Sequence, residues 1–167
     1  MSRHTSIRQF DASDREGVRH ILREAWAQCY AGLGVIELMY TLLEDDSLTF
    51  LLPKAGETAL MASVDGQPAG VLVVRRVRGV DCILALYIHP KFQRRGLGKA
   101  LLSHAVSKEP EAAIVEAQVL EASTQALAFY GSLGFAEASR RRMALPAAGT
   151  AGVVVMRLAR AALTSSL

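Results

Sequence analysis

Cysteine is nearly absent: Cys29 and Cys82 are the only two in 167 residues. They fall in different expected elements with neither CxxC nor metal-ligand spacing, which excludes a disulfide scaffold and a thiolate metal site, and both are expected to be reduced, small buried hydrophobes. The histidines His4, His20, His89 and His104 show no ligand spacing either, so no catalytic metal is expected. Aromatics make up only 6% of the chain, too few to offer stacking platforms to single-stranded nucleic acid. Charge of one sign is also missing, because 19 Lys+Arg stand against 16 Asp+Glu for a net +3. That excess is too small for a general nucleic-acid binder. The longest apolar run, residues 82–88, falls far short of the roughly 20 residues of a membrane-spanning helix. The N-terminus reaches Ile7, Arg8 and Gln9 without the apolar stretch of a secretory signal. These absences lead us to expect a cytoplasmic protein with no membrane partner.

The hydrophobic fraction of 51% is ample for a core, so disorder is excluded and one domain over residues 1–167 is expected. Residues 5–10 read as a first strand, and Asp11, Ser13 and Asp14 offer cap chemistry to a helix on which Val18, Ile21, Leu22, Ala25 and Trp26 form one stripe. The loop 30–34 breaks it before a second helix carrying Ile36, Met39, Tyr40 and Leu43. Segments 58–64 and 69–77 read as a hairpin closed by Asp65-Gly66. A turn at 78–81 then leads into a buried strand, 82–88, ended by Pro90. A helix over 99–106, a strand over 112–119, a helix over 123–133 stopped by Gly134, and extended segments at 138–145 and 152–158 complete the pattern, with 159–167 expected as a short solvated tail. Arg140, Arg141 and Arg142 read as a solvated, positively charged sheet edge, or as a recruiter of an acidic acceptor.

The informative stretch runs from Leu86 to Leu102. A buried strand enters a glycine-containing turn that opens a helix, where outward-pointing amides and the positive end of the helix dipole suit a polyphosphate. Lys91, Arg94, Arg95 and Lys99 place four cations and no carboxylate within nine residues. Neither a Walker loop nor a dinucleotide fingerprint is present.

Gln93-Arg94-Arg95-Gly96-Leu97-Gly98 matches the [QR]-x-x-G-x-[GA] pyrophosphate loop of the GNAT superfamily of N-acetyltransferases, and Leu86-Tyr87-Ile88-His89-Pro90 resembles that family's L-x-V-x-P strand end. A second block from Ala126 through Phe129, Tyr130 and Gly134 to Phe135 is similar to the family's A-x-x-[FL]-Y-x-x-x-G-F helix and turn. The likeness covers nearly the whole chain. It implies an α/β (α+β) fold: a mixed, mostly antiparallel sheet of about six to seven strands with splayed parallel central strands, flanked by about four helices. It further implies an enzyme that transfers an acetyl (acyl) group from acetyl-coenzyme A to a primary amine, by direct attack in a ternary complex.

By the same resemblance the cofactor wedges between strands 82–88 and 112–119, its pantetheine arm on the backbone of Leu86, Tyr87 and Ile88. Its pyrophosphate lies on the amides of Gln93, Arg94, Arg95, Gly96, Leu97, Gly98 and Lys99. Tyr130 occupies the position of the proton donor to the thiolate and also borders the cofactor, while Phe129 and Phe135 pack. Ser123 stands where many relatives carry an Asn that holds the cofactor arm, and Gln118 stands where relatives acting on protein N-termini often carry Glu. The base is then Glu116, on the same strand face as Gln118, or Asp81, or no side chain at all if the amine arrives deprotonated. The acceptor is a small-molecule or peptide amine, to be selected by loop 30–34, the second helix and the late hairpin. Other readings are a transferase for protein N-termini or aminoacyl-tRNA, and a coenzyme A-binding regulatory module without turnover. A homodimer is compatible with the family.

Overall fold

The computed structural model describes residues 4–32, 36–44, 53–107, 113–145 and 149–165. Strand β1 (Thr5–Gln9) passes through a short 3-10 turn (Ala12–Asp14) into α1 (Arg15–Cys29). The Asp11 carboxylate accepts from the Ser13 amide while Asp14 reaches back to the Asp11 amide, and the Arg8 guanidinium grips both Asp14 oxygens at 2.8 and 2.7 Å. This reciprocal capping satisfies donors that the helix itself leaves open. The stripe Val18, Ile21, Leu22, Ala25 and Trp26 is buried against the sheet as its spacing requires. Helix α2 (Ile36–Glu44) follows; loop residues Leu33 and Gly34 lie outside the described residues, as does Ala112.

Strands β2 (Glu57–Val64), β3 (Gln67–Val77) and β4 (Val80–Ile88) form an antiparallel meander. Both turns carry positive φ at their two central residues, 51° and 77° at Asp65-Gly66 and 51° and 78° at Arg78-Gly79. Such turns match the right-handed twist of the flanking strands. The second is therefore tighter than the turn expected over 78–81, and Val80 and Asp81 already belong to β4. Helix α3 (Leu97–Ser107), β5 (Ile114–Leu120), α4 (Thr124–Ser132), β6 (Ala136–Leu145) and β7 (Gly149–Ala159) complete a seven-stranded sheet of order β1-β2-β3-β4-β5-β7-β6. Among the described strands, only β4 and β5 pair in parallel. The fold expected from the motifs is thus the fold observed.

Two apolar layers fix the two sheet faces. Leu60, Leu72, Ile83, Val115, Ala117 and Val154 of the sheet pack against Leu101 and Leu102 of α3 and Tyr130 of α4. On the opposite face Met61, Val71, Val73 and Ala85 of the sheet pack against Ile21, Leu22 and Trp26 of α1 and Leu43 of α2. The expected solvated tail is corrected: residues 160–165 form a helix, α5 (Arg160–Ser165), and Leu163 is fully buried in the first layer. Burying it is worth about 1.5–3 kcal/mol, and Arg160 adds bonds from its guanidinium to the Val106 carbonyl and from its amide to the Ala113 carbonyl.

The arginine run lies within β6, the terminal strand of the sheet. Arg140 pairs with Glu137 and Glu121, and Arg142 donates to Thr150 Oγ1 at 2.7 Å. These bonds favour the charged-edge reading, because two of the three cations are spent on the protein's own side chains.

Asp81 is 4% exposed and its carboxylate holds the Arg76 guanidinium at 2.9 Å. We expect Asp81→Asn to lower the free energy of urea unfolding by about 1–3 kcal/mol, the cost of weakening a buried charged hydrogen bond.

Candidate functional site

The site begins where β4 and β5 part. Their parallel pairing runs from Val80↔Ile114 to Ile83↔Ala117 and stops. At that level the β3–β4 register slips: Val73 faces Ala85 while Val74 faces Ile83, so Leu84 is an extra residue, and it is 46% exposed. A bulge bends its strand and interrupts the ladder. Beyond it, residues 85–88 pair only with β3, and residues 118–120 of β5 pair only with β7.

Backbone groups of a strand alternate sides. The His89 amide donates to the Ala69 carbonyl on β3 at 2.9 Å, so the N–H and C=O of Leu86 and Ile88 face the cleft, whereas those of Tyr87 face β3. The Ile88 carbonyl accepts from Gln93 Nε2 at 3.1 Å. Gln93 is a junction beyond what its motif position suggested, since it also donates to Gln28 of α1 at 2.8 Å and accepts from Gln125 of α4 at 3.3 Å. The strand end is held from the other side by His89, whose Nδ1 accepts the Lys91 amide at 3.1 Å and whose Nε2 lies 3.2 Å from His20 Nε2 of α1. Because Nδ1 accepts, the proton of a neutral His89 ring sits on Nε2 and is donated to His20. Burial, then the neighbouring His20, pulls the His89 pKa down, which favours that neutral form.

The turn into α3 has the shape an anion needs. Arg94 (φ 61°) and Gly96 (φ 77°) are left-handed on either side of Arg95, which has no positive φ, and such alternation turns successive amides toward one point. A left-handed non-glycine residue costs roughly 1–2 kcal/mol, a strain the sequence motif did not reveal. The first helical amide bond runs from Ala100 to the Gly96 carbonyl, which leaves Leu97 and Gly98 in the first turn, where amides have no acceptor within the helix. The buried Leu97 anchors the turn beside Phe92, whose ring carries Lys91 Nζ at 5.5 Å and Arg95 Cζ at 5.7 Å. Lys99 lies in the same first turn and its carbonyl accepts from Ser103 Oγ at 2.8 Å. The two glycines differ in purpose. A Cβ on Gly96 would meet nothing within 4 Å, so its need is conformational, whereas one on Gly98 would sit 3.0 Å from the Phe129 ring.

Tyr130 is 7% exposed near the end of α4, edge-on to Phe129 and Phe135 at 5.1 Å each. Burial, then the neighbouring Tyr87 phenol, pushes its pKa up, so the hydroxyl keeps its proton far past neutral pH. Tyr87 and Tyr30 share a hydroxyl–hydroxyl bond of 3.0 Å on the far side of β4. Ser123 stands at the start of α4 but makes no side-chain capping bond; only its backbone is engaged, to Leu120 and Leu127.

The candidate bases lie elsewhere. Glu116 faces Cys82 in the closed part of the β4–β5 pair. It belongs to a polar row, Glu57–Arg75–Cys82–Glu116–Arg157, that crosses five strands in register. Its carboxylate is held by Arg157 at 2.8 Å and by Gln118 Nε2 at 3.2 Å. Gln118 is the first residue of β5 past the last pair with β4 and so borders the opening. Asp81 is spent on Arg76 beside a small cavity under α3, lined also by Thr58, Leu102 and Val106, at the closed end of β4. Cys29 and Cys82 are free thiols, half-buried rather than buried, and burial raises the pKa of each. Among the described residues there is no cluster of three metal-ligating side chains and no helix long and apolar enough to cross a membrane.

The family model described as the acetyltransferase (GNAT) family matches residues 15–135. The ribosomal protein bS18-alanine N-acetyltransferase of Salmonella typhimurium is 32% identical over 102 residues, covering 59% of this chain and 69% of that protein. Among solved structures, the PaiA N-acetyltransferase of Thermoplasma acidophilum in complex with coenzyme A superposes with a TM-score of 0.74 at 21% identity, covering 95% and 99% of the two chains. The ribosomal-protein-S18-alanine N-acetyltransferase of Escherichia coli gives 0.69 at 22% identity, covering 93% and 94%.

Gly96→Ala forces a side chain into a left-handed conformation worth about 1 kcal/mol or more, and is expected to weaken coenzyme A binding severalfold in a calorimetric titration. Gly98→Ala is expected to weaken it through displacement of α3 from Phe129, an effect that Phe129→Leu relieves.

Proposed function

Since the chain belongs to the GNAT acetyltransferase family and is an N-acetyltransferase that uses acetyl-coenzyme A, we propose that its acceptor is the α-amine of a protein or peptide N-terminus. One observation carries this reading of the acceptor: the sequence relative at 32% identity is named for a ribosomal protein alanine. The cofactor's thioester supplies an activated acetyl group, and the residues present suit it in three respects.

The left-handed pair Arg94 and Gly96 and the first turn of α3 bind the pyrophosphate through amides, with Arg94, Arg95, Lys91 and Lys99 neutralising its charge. The open edge of β4 at Leu86 and Ile88 offers cleft-facing backbone groups for the pantetheine arm, and an amide there polarises the thioester carbonyl. Gln93 yields or keeps the Ile88 carbonyl as the arm arrives. Tyr87 contributes a side chain rather than backbone, and Ser123 contributes at most a hydroxyl.

Tyr130 gives its proton to the departing thiolate. Its raised pKa suits a group that must be protonated to act. Glu116 takes the proton of the attacking amine through water, held in place by Arg157 and reached past Gln118. Attack requires a neutral amine, and an α-amine, with an ordinary pKa of about 7.7–8.0, reaches that state more readily than a lysine side chain at about 10.4.

Thiol release from acetyl-coenzyme A over a panel of peptides and small amines tests the assignment. Peptides with free N-termini are expected to exceed lysine-only peptides and small amines; the reverse order overturns the acceptor, and binding without release from any acceptor leaves a coenzyme A-binding module. Tyr130→Phe is expected to lower kcat by about 10²–10⁴-fold with the coenzyme A dissociation constant unchanged. The sign of the Tyr130 shift sets the alkaline behaviour. An acid is lost as pH rises through its pKa, so a raised pKa moves that loss above the ordinary phenol value of about 10, and kcat is expected to hold up to that pH. Glu116→Gln is expected to lower kcat at neutral pH and to recover toward the parent at high pH, where the amine is already neutral.

A further inference from the structure

We propose that Tyr87 and Tyr30 form the wall of the acceptor subsite and set the size of the group next to the attacking amine, an inference that rests on the functional reading above. Past the bulge, Leu86 and Ile88 send their side chains to the α3 and α4 face, while Ala85 and Tyr87 send theirs to the α1 and α2 face. The anion-binding turn, α3 and α4 give the donor the first face. Two reactants meeting at one carbonyl cannot share it, so the amine arrives from the second.

On that second face the opening is bordered by the small Ala85, by Tyr87 and by Tyr30. Tyr30 caps the end of α1, its amide bonded to the Trp26 carbonyl at 2.9 Å, and its hydroxyl lies 3.0 Å from that of Tyr87. The Tyr87 ring stands edge-on to Trp26, with centroids 6.0 Å apart at 78°, and Trp26 is 1% exposed. The wall is therefore built before the acceptor comes, and residues whose rotamers are locked by packing discriminate best. Tyr87 fills a variable position of the strand motif, so the motif assigns it nothing. Two neutral phenols in this place admit an acceptor that begins with Gly, Ala or Ser and exclude one that begins with a branched or aromatic residue.

The test measures kcat/KM for peptides differing only in a first residue of Ala, Val or Phe, beside methylamine, isobutylamine and phenethylamine, with the cofactor KM as a control. Tyr87→Ala is expected to raise the Phe-to-Ala ratio by about tenfold or more, with Tyr30→Ala as the second variant should the first not fold. Tyr87→Phe keeps the bulk and is expected to retain the ratio while raising acceptor KM a few-fold, and Tyr30→Phe should do the same. The double Phe variant should add little, because both changes remove one bond. An unchanged ratio in the Ala variants, or a Phe variant that shifts the ratio as far as the Ala variant does, overturns the proposal. If peptides are inert and amines react, the peptide reading falls and the amine ratios decide this one. Failure of both classes removes both.

Discussion

The site depends on the single extra residue at Leu84. Without it β4 would continue beside β5, and each backbone group that now faces the cleft would be spent on a neighbouring strand. The bulge performs two tasks at once. It ends the parallel pairing at Ile83↔Ala117, and it resets the side-chain alternation so that Ala85 and Tyr87 fall on the α1 and α2 face while Leu86 and Ile88 fall on the other. A sheet that kept its register would have to choose between a closed core and a binding edge. Here the lower halves of β4 and β5 hold the core and its ion pairs, and the upper halves leave backbone groups facing the cleft.

That division explains why the acidic side chains are sorted as they are. Asp81 and Glu116 belong to the closed half and are matched with Arg76 and Arg157, whereas the residue at the opening, Gln118, is uncharged. A carboxylate buried without a partner is costly, so those that the closed half contains come with their arginines. The polar row from Glu57 to Arg157 obeys the same rule across five strands, with Cys82 as its only uncharged member. Its half-buried thiol is raised by that setting, which makes it a poor nucleophile.

Much of this was legible from residue pattern alone. The capping residues at Asp11 and Asp14, the hairpin at Asp65-Gly66, the helical stripe ending at Trp26 and the glycine turn after Ile88 are each set by neighbours a few residues away, and each lies where its local chemistry demands. What escaped depends on distant partners. The Leu84 bulge is visible only when β3 is laid beside β4. The helix from Arg160 to Ser165 exists because Leu163 finds a place beneath α3, and nothing within that short segment announces it. Gln93 was legible as a motif letter but not as the junction of α1, β4 and α4. Tyr87 was read as backbone for the cofactor, whereas period-two geometry turns its backbone to β3 and leaves its ring for another task. The second glycine of the loop carried the right identity with an incomplete reason, since the Phe129 ring rather than an anion alone forbids its side chain.

That last contact ties two jobs together mechanically. Gly98 lies in the first turn of α3, the proposed phosphate site, and the ring pressed against it belongs to the residue immediately before Tyr130. The proposed phosphate turn and the proposed acid are therefore adjacent faces of one packed joint. A side chain added at Gly98 would press on the ring that stands 5.1 Å from Tyr130, so a single methyl group there reaches both the turn and the phenol's packing.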